Sequence, residues 1–289
     1  MAINLATEYK KKLAKHFHTE SKTDAWAGRE FDFVGVKGIQ VYSLPKITSN
    51  GAYDRDGDAT FGAFRFGKYT EVEDEVQTME MTQSLTLAKT IDKANANEQY
   101  NIKKATEVLA NFNLETVKPT IDKYRLNAWA TGHGLSTGYA IQDNGTAAAL
   151  TAANVLESIF NGSAALSDKL VPGDNRVLYI REKDFVKVKL ANVVIGGAQL
   201  NADAVRKGFR GTIDGMAVVT VPGDYLPANV GFLIKYRGAT VDPVKINMLR
   251  VQREPLGIAG DALEGLFLYD SFVLDAKCDG IYAHKIPTT

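Results

Sequence analysis

Gly134-Leu135-Ser136-Thr137-Gly138 fits the G-x-S-x-G pattern of the serine-hydrolase nucleophile elbow, and His284 follows it in the chain order that such enzymes use. The elbow works because a strand enters the turn and a helix leaves it, which strains the backbone and lifts the serine hydroxyl into the site. Here the pattern predicts a helix before the turn and an extended Tyr139-Ala140-Ile141 after it, so the segment reads as a glycine-rich connection. A hydrolase using Ser136 and His284 stands as the enzymatic alternative to a chain that catalyses nothing. Asp54, Asp56 and Asp58 with Gly57 suggest a calcium loop, but the glycine comes two positions early and no glutamate closes the run. His16 and His18 are two apart on a predicted helix and face different ways, while His133 and His284 are isolated. No metal or other cofactor is expected. Asn144-Gly145-Thr146 and Asn161-Gly162-Ser163 match the glycosylation pattern, which has no meaning in a chain that is not secreted.

Two features point to association instead of catalysis. Between residues 47 and 68, Gly51, Gly57, Gly62 and Gly67 alternate with Tyr53, Phe61, Phe64 and Phe66, ahead of Lys68. Glycines at that density give a pliable backbone, and aromatics at that density need burial that a lone subunit does not obviously offer. The acidic run Glu71, Glu73, Asp74 and Glu75 then reads either as a solvated face or as carboxylates that pair with lysines or arginines across a subunit boundary and set register.

Composition sets the outer limits. Apolar residues make up 45% and charged residues 24% of 289 residues, an ordinary globular balance with room for one large or two smaller domains. Thirty-four basic residues match thirty-four acidic ones with no continuous basic stripe, which argues against tight nucleic-acid binding. A single cysteine, Cys278, excludes an internal disulfide framework and points to a reducing cytoplasm. The N-terminus lacks the apolar region of a secretory signal, and no window reaches the ~18 apolar residues of a membrane span.

The elements that must position these residues follow from periodicity. Residues 2–18 read as a short amphipathic helix and 19–32 as a polar arm that needs a neighbour to lie on. Strands are predicted at 34–44, ending before Pro45, and at 79–91, where apolar and polar residues alternate strictly. Paired, they make a long hairpin whose tip is the aromatic segment. Residues 95–131 read as a long helix interrupted at Pro119 and closed by Gly132 and Gly134. A compact mixed domain follows, with helices at 146–166 and 183–190 and buried strands at 176–181, 216–221 and 231–236. Long strands at 244–252 and 266–276 surround a loop with Pro255, Gly257 and Gly260, and a short last strand covers 280–285.

That order, with Ile121-Asp122-Lys123-Tyr124-Arg125-Leu126, residues 244–255 (VKINMLRVQREP) and residues 265–285 (GLFLYDSFVLDAKCDGIYAHK), resembles the major capsid proteins of tailed bacteriophages that share the HK97-type fold, across essentially the whole chain. The resemblance implies an α+β chain divided as follows: an N-terminal arm at 1–36, an extended hairpin loop at 37–92 that lies over a neighbour, and a spine helix at 93–131. An axial domain at 132–240 comes next, then the long strands of a peripheral domain at 241–276 and a C-terminal strand at 277–289 that returns to the axial domain. It implies a homo-oligomer of hexamers and pentamers forming an icosahedral virion shell around double-stranded DNA, assembled in the host cytoplasm without a membrane. Maturation would rotate the subunits and straighten the helix at Pro119. With a first strand near residue 34 there is no room for an internal scaffold, so a separate scaffolding protein is expected, beside a portal and a possible decoration protein. Lys68 sits in the element that carries the crosslinking lysine in some relatives, but no asparagine or glutamate can be matched to the other two roles. A cellular nanocompartment shell of the encapsulin type is the alternative within the same fold class.

Overall fold

The computed structural model describes residues 21–35, 37–43, 75–92, 105–194, 211–253, 255–257 and 260–287. In chain order, β1 (Asp32–Val34), β2 (Gly38–Ser43) and β3 (Glu75–Glu80) form one antiparallel sheet, and β4 (Gln83–Asp92) leads away from it. Helix α1 (Ala105–Phe112) passes through a π-helical turn, Asn113–Val117, into α2 (Lys118–Thr131). Then come β5 (Gln142–Asp143), α3 (Val155–Asp168), β6 (Arg176–Arg181), α4 (Glu182–Val194), β7 (Thr212–Ile213), β8 (Met216–Val221) and β9 (Val230–Tyr236). The chain closes with β10 (Thr240–Val241), β11 (Val244–Arg253), β12 (Gly260–Tyr269), β13 (Phe272–Val273) and β14 (Ile281–Lys285).

A six-stranded sheet in the order β5-β14-β9-β6-β8-β7 is the centre of the mixed region. Its middle strand β6 is buried at every residue, which is why it reads as a continuous run rather than an alternating one. Successive residues still point to opposite faces. Leu178 and Ile180 meet Val155, Ile159 and Leu166 of α3 and Phe185 and Val188 of α4, whereas Val177 and Tyr179 meet Leu126 and Trp129 of α2. The sheet is thus sandwiched between two helical layers. A second sheet, β11-β12-β4, lays Leu263, Phe267 and Leu87 under Phe112 and Val117 of the long helical rod.

Several expected elements divide differently. In place of the one strand expected over 34–44, Val34 closes β1 and Gly38–Ser43 form β2, with Gly35 at φ 63° between them. Residues 79–91 are split at Met81 and Thr82: β3 pairs with β2, while β4 joins β12. The cause is local. Met81 is fully buried and its N–H donates to the Lys37 carbonyl at 2.9 Å, and the Thr82 N–H and hydroxyl both donate to Asp270 Oδ2, at 2.7 and 3.1 Å. Alternation continues through the bend, so periodicity does not reveal it. The helix expected over 146–166 starts only at Val155, since Asn154 and Thr151 hydrogen-bond each other's backbone and compete with helical bonding. The helix expected over 183–190 extends to cover Glu182–Val194. The strand expected over 266–276 instead spans Gly260–Tyr269 and breaks at Asp270 and Ser271, after which β13 pairs with β10.

Candidate functional site

Of the residues expected to contact a neighbour, Tyr53, Phe61, Phe64, Phe66, Lys68, Glu71, Glu73 and Asp74 lie outside the described residues, as do residues 93–104 of the expected helix, the calcium-like loop and His16 and His18. Glu75 opens β3 opposite Ser43. The β2–β3 ribbon therefore leads directly to and from the aromatic segment, and its two faces differ. On one, Ile39 and Met79 are buried against Val241, Leu268, Phe272 and Leu274. On the other, Tyr42 and Val76 stand directly opposite each other, and Tyr42 is 63% exposed. Gln77 fastens the docked face. Its amide donates to the carbonyls of Gly134 at 3.0 Å and Val273 at 3.3 Å, and its side-chain oxygen accepts the Asp275 N–H at 3.0 Å.

Pro119 stands in the first turn of α2, immediately after the π turn. Proline has no N–H to donate, and its ring crowds the carbonyl four residues back. The rod accommodates it by widening rather than breaking: Lys118 donates five residues back to Asn113, and Phe112, Val117 and Lys118 all keep right-handed helical dihedrals.

Behind the ribbon lies a buried polar junction of carboxylates from distant parts of the chain. Asp270 accepts from Thr82 and, at 2.6 Å, from the Tyr124 hydroxyl, whose pKa burial and the adjacent carboxylate push well up. Asp122 on α2 accepts from the Ser21 hydroxyl at 2.6 Å, the Lys22 N–H at 2.7 Å and the Thr23 hydroxyl at 2.6 Å. Asp242 accepts from the Gly28 N–H, the Thr240 and Ser271 hydroxyls and Trp129 Nε1–H. Lys235, fully buried, donates to the Trp26 carbonyl at 2.6 Å, lies 3.7 Å over the Trp129 ring and 3.9 Å from Asp242. Residues 21–30, expected to be an unpatterned arm lying on a neighbour, are thus a strap bound to their own subunit. Gly28 is required there, because a Cβ would sit 1.6 Å from the Thr240 carbonyl oxygen. Gly28→Ala is expected to displace the strap and lower stability by about 2–4 kcal/mol, read as an earlier urea midpoint.

Sequence reasoning missed Asp122, Lys235, Asp242 and Asp270. The available signal was charge in an apolar register: Asp122, Arg125 and Trp129 share one face of α2, and Lys235 falls within the buried run of β9.

Ser136 follows a helix and precedes a two-residue strand, so the strand-turn-helix strain of an elbow is not formed. Its hydroxyl donates to Asp275 Oδ2 at 2.6 Å and its N–H to Oδ1 at 2.9 Å, which makes it a tie within the junction. His284 is buried on β14, stacked 4.8 Å from Phe232, with Nε2 against the Ala148 carbonyl at 3.2 Å. Burial lowers its pKa against the opposing pull of that carbonyl. Among the described residues no three His, Cys, Asp or Glu side chains converge to hold a metal ion, and no helix is long and apolar enough to cross a membrane.

No protein-family model and no curated protein matches the chain by sequence. Solved structures match its fold over nearly its whole length. A chain of a Mycobacterium phage Che8 structure is similar with TM-score 0.67 at 13% identity, covering 98% of both chains. A chain from the capsid structure of the cyanophage P-SCSP1u gives TM-score 0.71 at 14% identity, covering 98% of this chain and 93% of its own. One from the capsid of an empty GTA particle gives 0.67 at 14%, covering 97% and 95%. The chain has the mixed α+β fold of phage capsid subunits.

Proposed function

We propose that this chain is the major capsid protein of a tailed bacteriophage, an HK97-type subunit that assembles as hexamers and pentamers into an icosahedral shell around double-stranded DNA. The observation that carries the reading is the likeness to phage capsid chains over almost their full length and this chain's, at identities where only shape is shared. The ribbon supports it independently: one face is glued to the subunit, the other offers Tyr42 and Val76, and it feeds a glycine and aromatic segment at 44–74. In this reading Tyr53, Phe61, Phe64, Phe66 and Lys68 lie over an adjacent copy. The six-stranded region is the axial domain, the β11-β12-β4 sheet with the long rod is the peripheral domain, and the π turn before Pro119 is where the rod changes its bend as subunits rotate.

The subunit works without catalysis, by many modest contacts that a closed shell multiplies. A separate scaffolding protein and a portal are its partners, DNA touches it weakly and non-specifically, and it is made in the host cytoplasm before residing in the virion. If the acidic run sets register between copies, the double variant Glu73→Lys and Glu75→Lys leaves the subunit folded but cuts the yield of fast-sedimenting particles at least tenfold. Wild-type particle yields from that variant would remove the acidic run from the contact, and particles of any size from the wild-type chain support the shell reading.

A further inference from the structure

The strap at residues 21–30 crosses the subunit in a groove between α2 and the turn after β10, and its fastening is uneven. At one end Asp122 takes three donors. At the other, Gly28 both donates to the Asp242 carboxylate at 2.8 Å and accepts the Asp242 N–H at 3.0 Å. Between them the strap closes over the Lys235 ammonium. That group has three N–H donors and is fully buried, yet among the described residues it makes one hydrogen bond, to the Trp26 carbonyl. Its carboxylate neighbour Asp242 is 3.9 Å away and shared among four other donors. Among the described residues, the other charged groups around it are Arg125 on α2 and Arg237 after β9, which repel it, with Asp122 and the Tyr179 hydroxyl in the same cluster from α2 and β6.

We propose that Lys235 spring-loads the strap: closing it buries an under-coordinated positive charge, so residues 21–30 are held weakly enough to leave the groove, and removing the charge tightens them. The intuitive alternative is a clamp, in which the ammonium holds the strap through the Trp26 carbonyl and the Trp129 ring. The two make opposite predictions. With the strap open, Lys235 meets water and keeps an ordinary lysine pKa. With it closed, burial outweighs Asp242 and brings the value down from 10.5 to about 8. Closing therefore releases a proton in the window above about 8, and raising pH through that window favours the closed form. Below the window the lysine is charged in both forms, and the whole cost of burying it falls on the closed one. Tyr179, whose pKa burial raises, opposes this trend only where tyrosine begins to ionise, so the test stays below pH ~10.

The experiment is hydrogen exchange on the dissociated full chain, following the amides of Trp26 and Gly28, bonded to the Thr23 carbonyl and to Asp242. After correction for the intrinsic rise of exchange with pH, the opening constant of the wild-type strap should fall roughly tenfold from pH 7 to pH 9. In Lys235→Met it should already be at least tenfold lower at pH 7 and change little with pH. An opening constant that is flat or rising with pH in the wild type, or equal or greater in Lys235→Met, overturns the proposal in favour of a clamp. The wild-type pH series decides alone if the variant does not fold. Because the readout is taken on single subunits, it succeeds or fails independently of shell formation.

Discussion

Asp242→Ala is expected to cost the subunit about 3–5 kcal/mol, the largest effect of any single substitution in the junction. The carboxylate is buried, and its two oxygens are divided evenly: Oδ2 accepts the Gly28 N–H at 2.8 Å and the Thr240 hydroxyl at 2.9 Å, Oδ1 the Trp129 indole N–H at 3.0 Å and the Ser271 hydroxyl at 2.5 Å. Alanine leaves buried donors without acceptors and strips Lys235 of its nearest counter-charge, and each unsatisfied buried group costs ~1–3 kcal/mol. Against a total stability of about 5–15 kcal/mol, that loss is a large fraction of the whole. Urea unfolding of dissociated subunits checks it. Asp242→Asn, which keeps the shape and one acceptor, should fall between wild type and alanine. An alanine variant with the wild-type midpoint would mean that the junction does not hold the strap, Trp129 and the Asp270 turn together.

The second large effect separates folding from assembly. Replacing residues 44–74 by Asn-Gly, which closes β2 onto β3 as a two-residue hairpin, should abolish particles while leaving the subunit intact. Ile39, Met79 and Gln77 anchor the ribbon on its own subunit and are retained, so the melting temperature of the dissociated chain is expected to stay within about 4 °C of wild type. Assembly has no such reserve. Each contact in a closed shell is modest, and deleting the same one from every subunit removes it everywhere, so the concentration needed for assembly should rise at least 100-fold. Sedimentation velocity and differential scanning calorimetry on one preparation read both quantities. Normal particles from the shortened chain would place the contact elsewhere.

How much of this was legible in the sequence depended on whether the information was local. β6 lies where its apolar run puts it, because a strand buried on both faces advertises itself by composition. The rod was legible from its period and its disturbance from Pro119, which the rod accommodates as a π turn ahead of the proline. What was hidden depended on partners far along the chain. The switch of sheets at Thr82 is made by Asp270, and the strap is made by Asp122, Lys235 and Asp242, so nothing near residues 21–30 or 82 announces them. The same distance hid the fate of Ser136: a motif that reads as a nucleophile in one dimension is, in three, a hydrogen-bond donor to Asp275. The role proposed for Tyr53, Phe61, Phe64 and Phe66 rests on assembly, not on the subunit alone.

Electron microscopy of the purified full-length chain, at concentrations where its subunits associate, tests the shell assignment most directly. The account predicts closed, icosahedrally symmetric particles in which residues 44–74 of each subunit lie across a neighbour. A chain that stays a lone globule at every concentration would contradict that assignment.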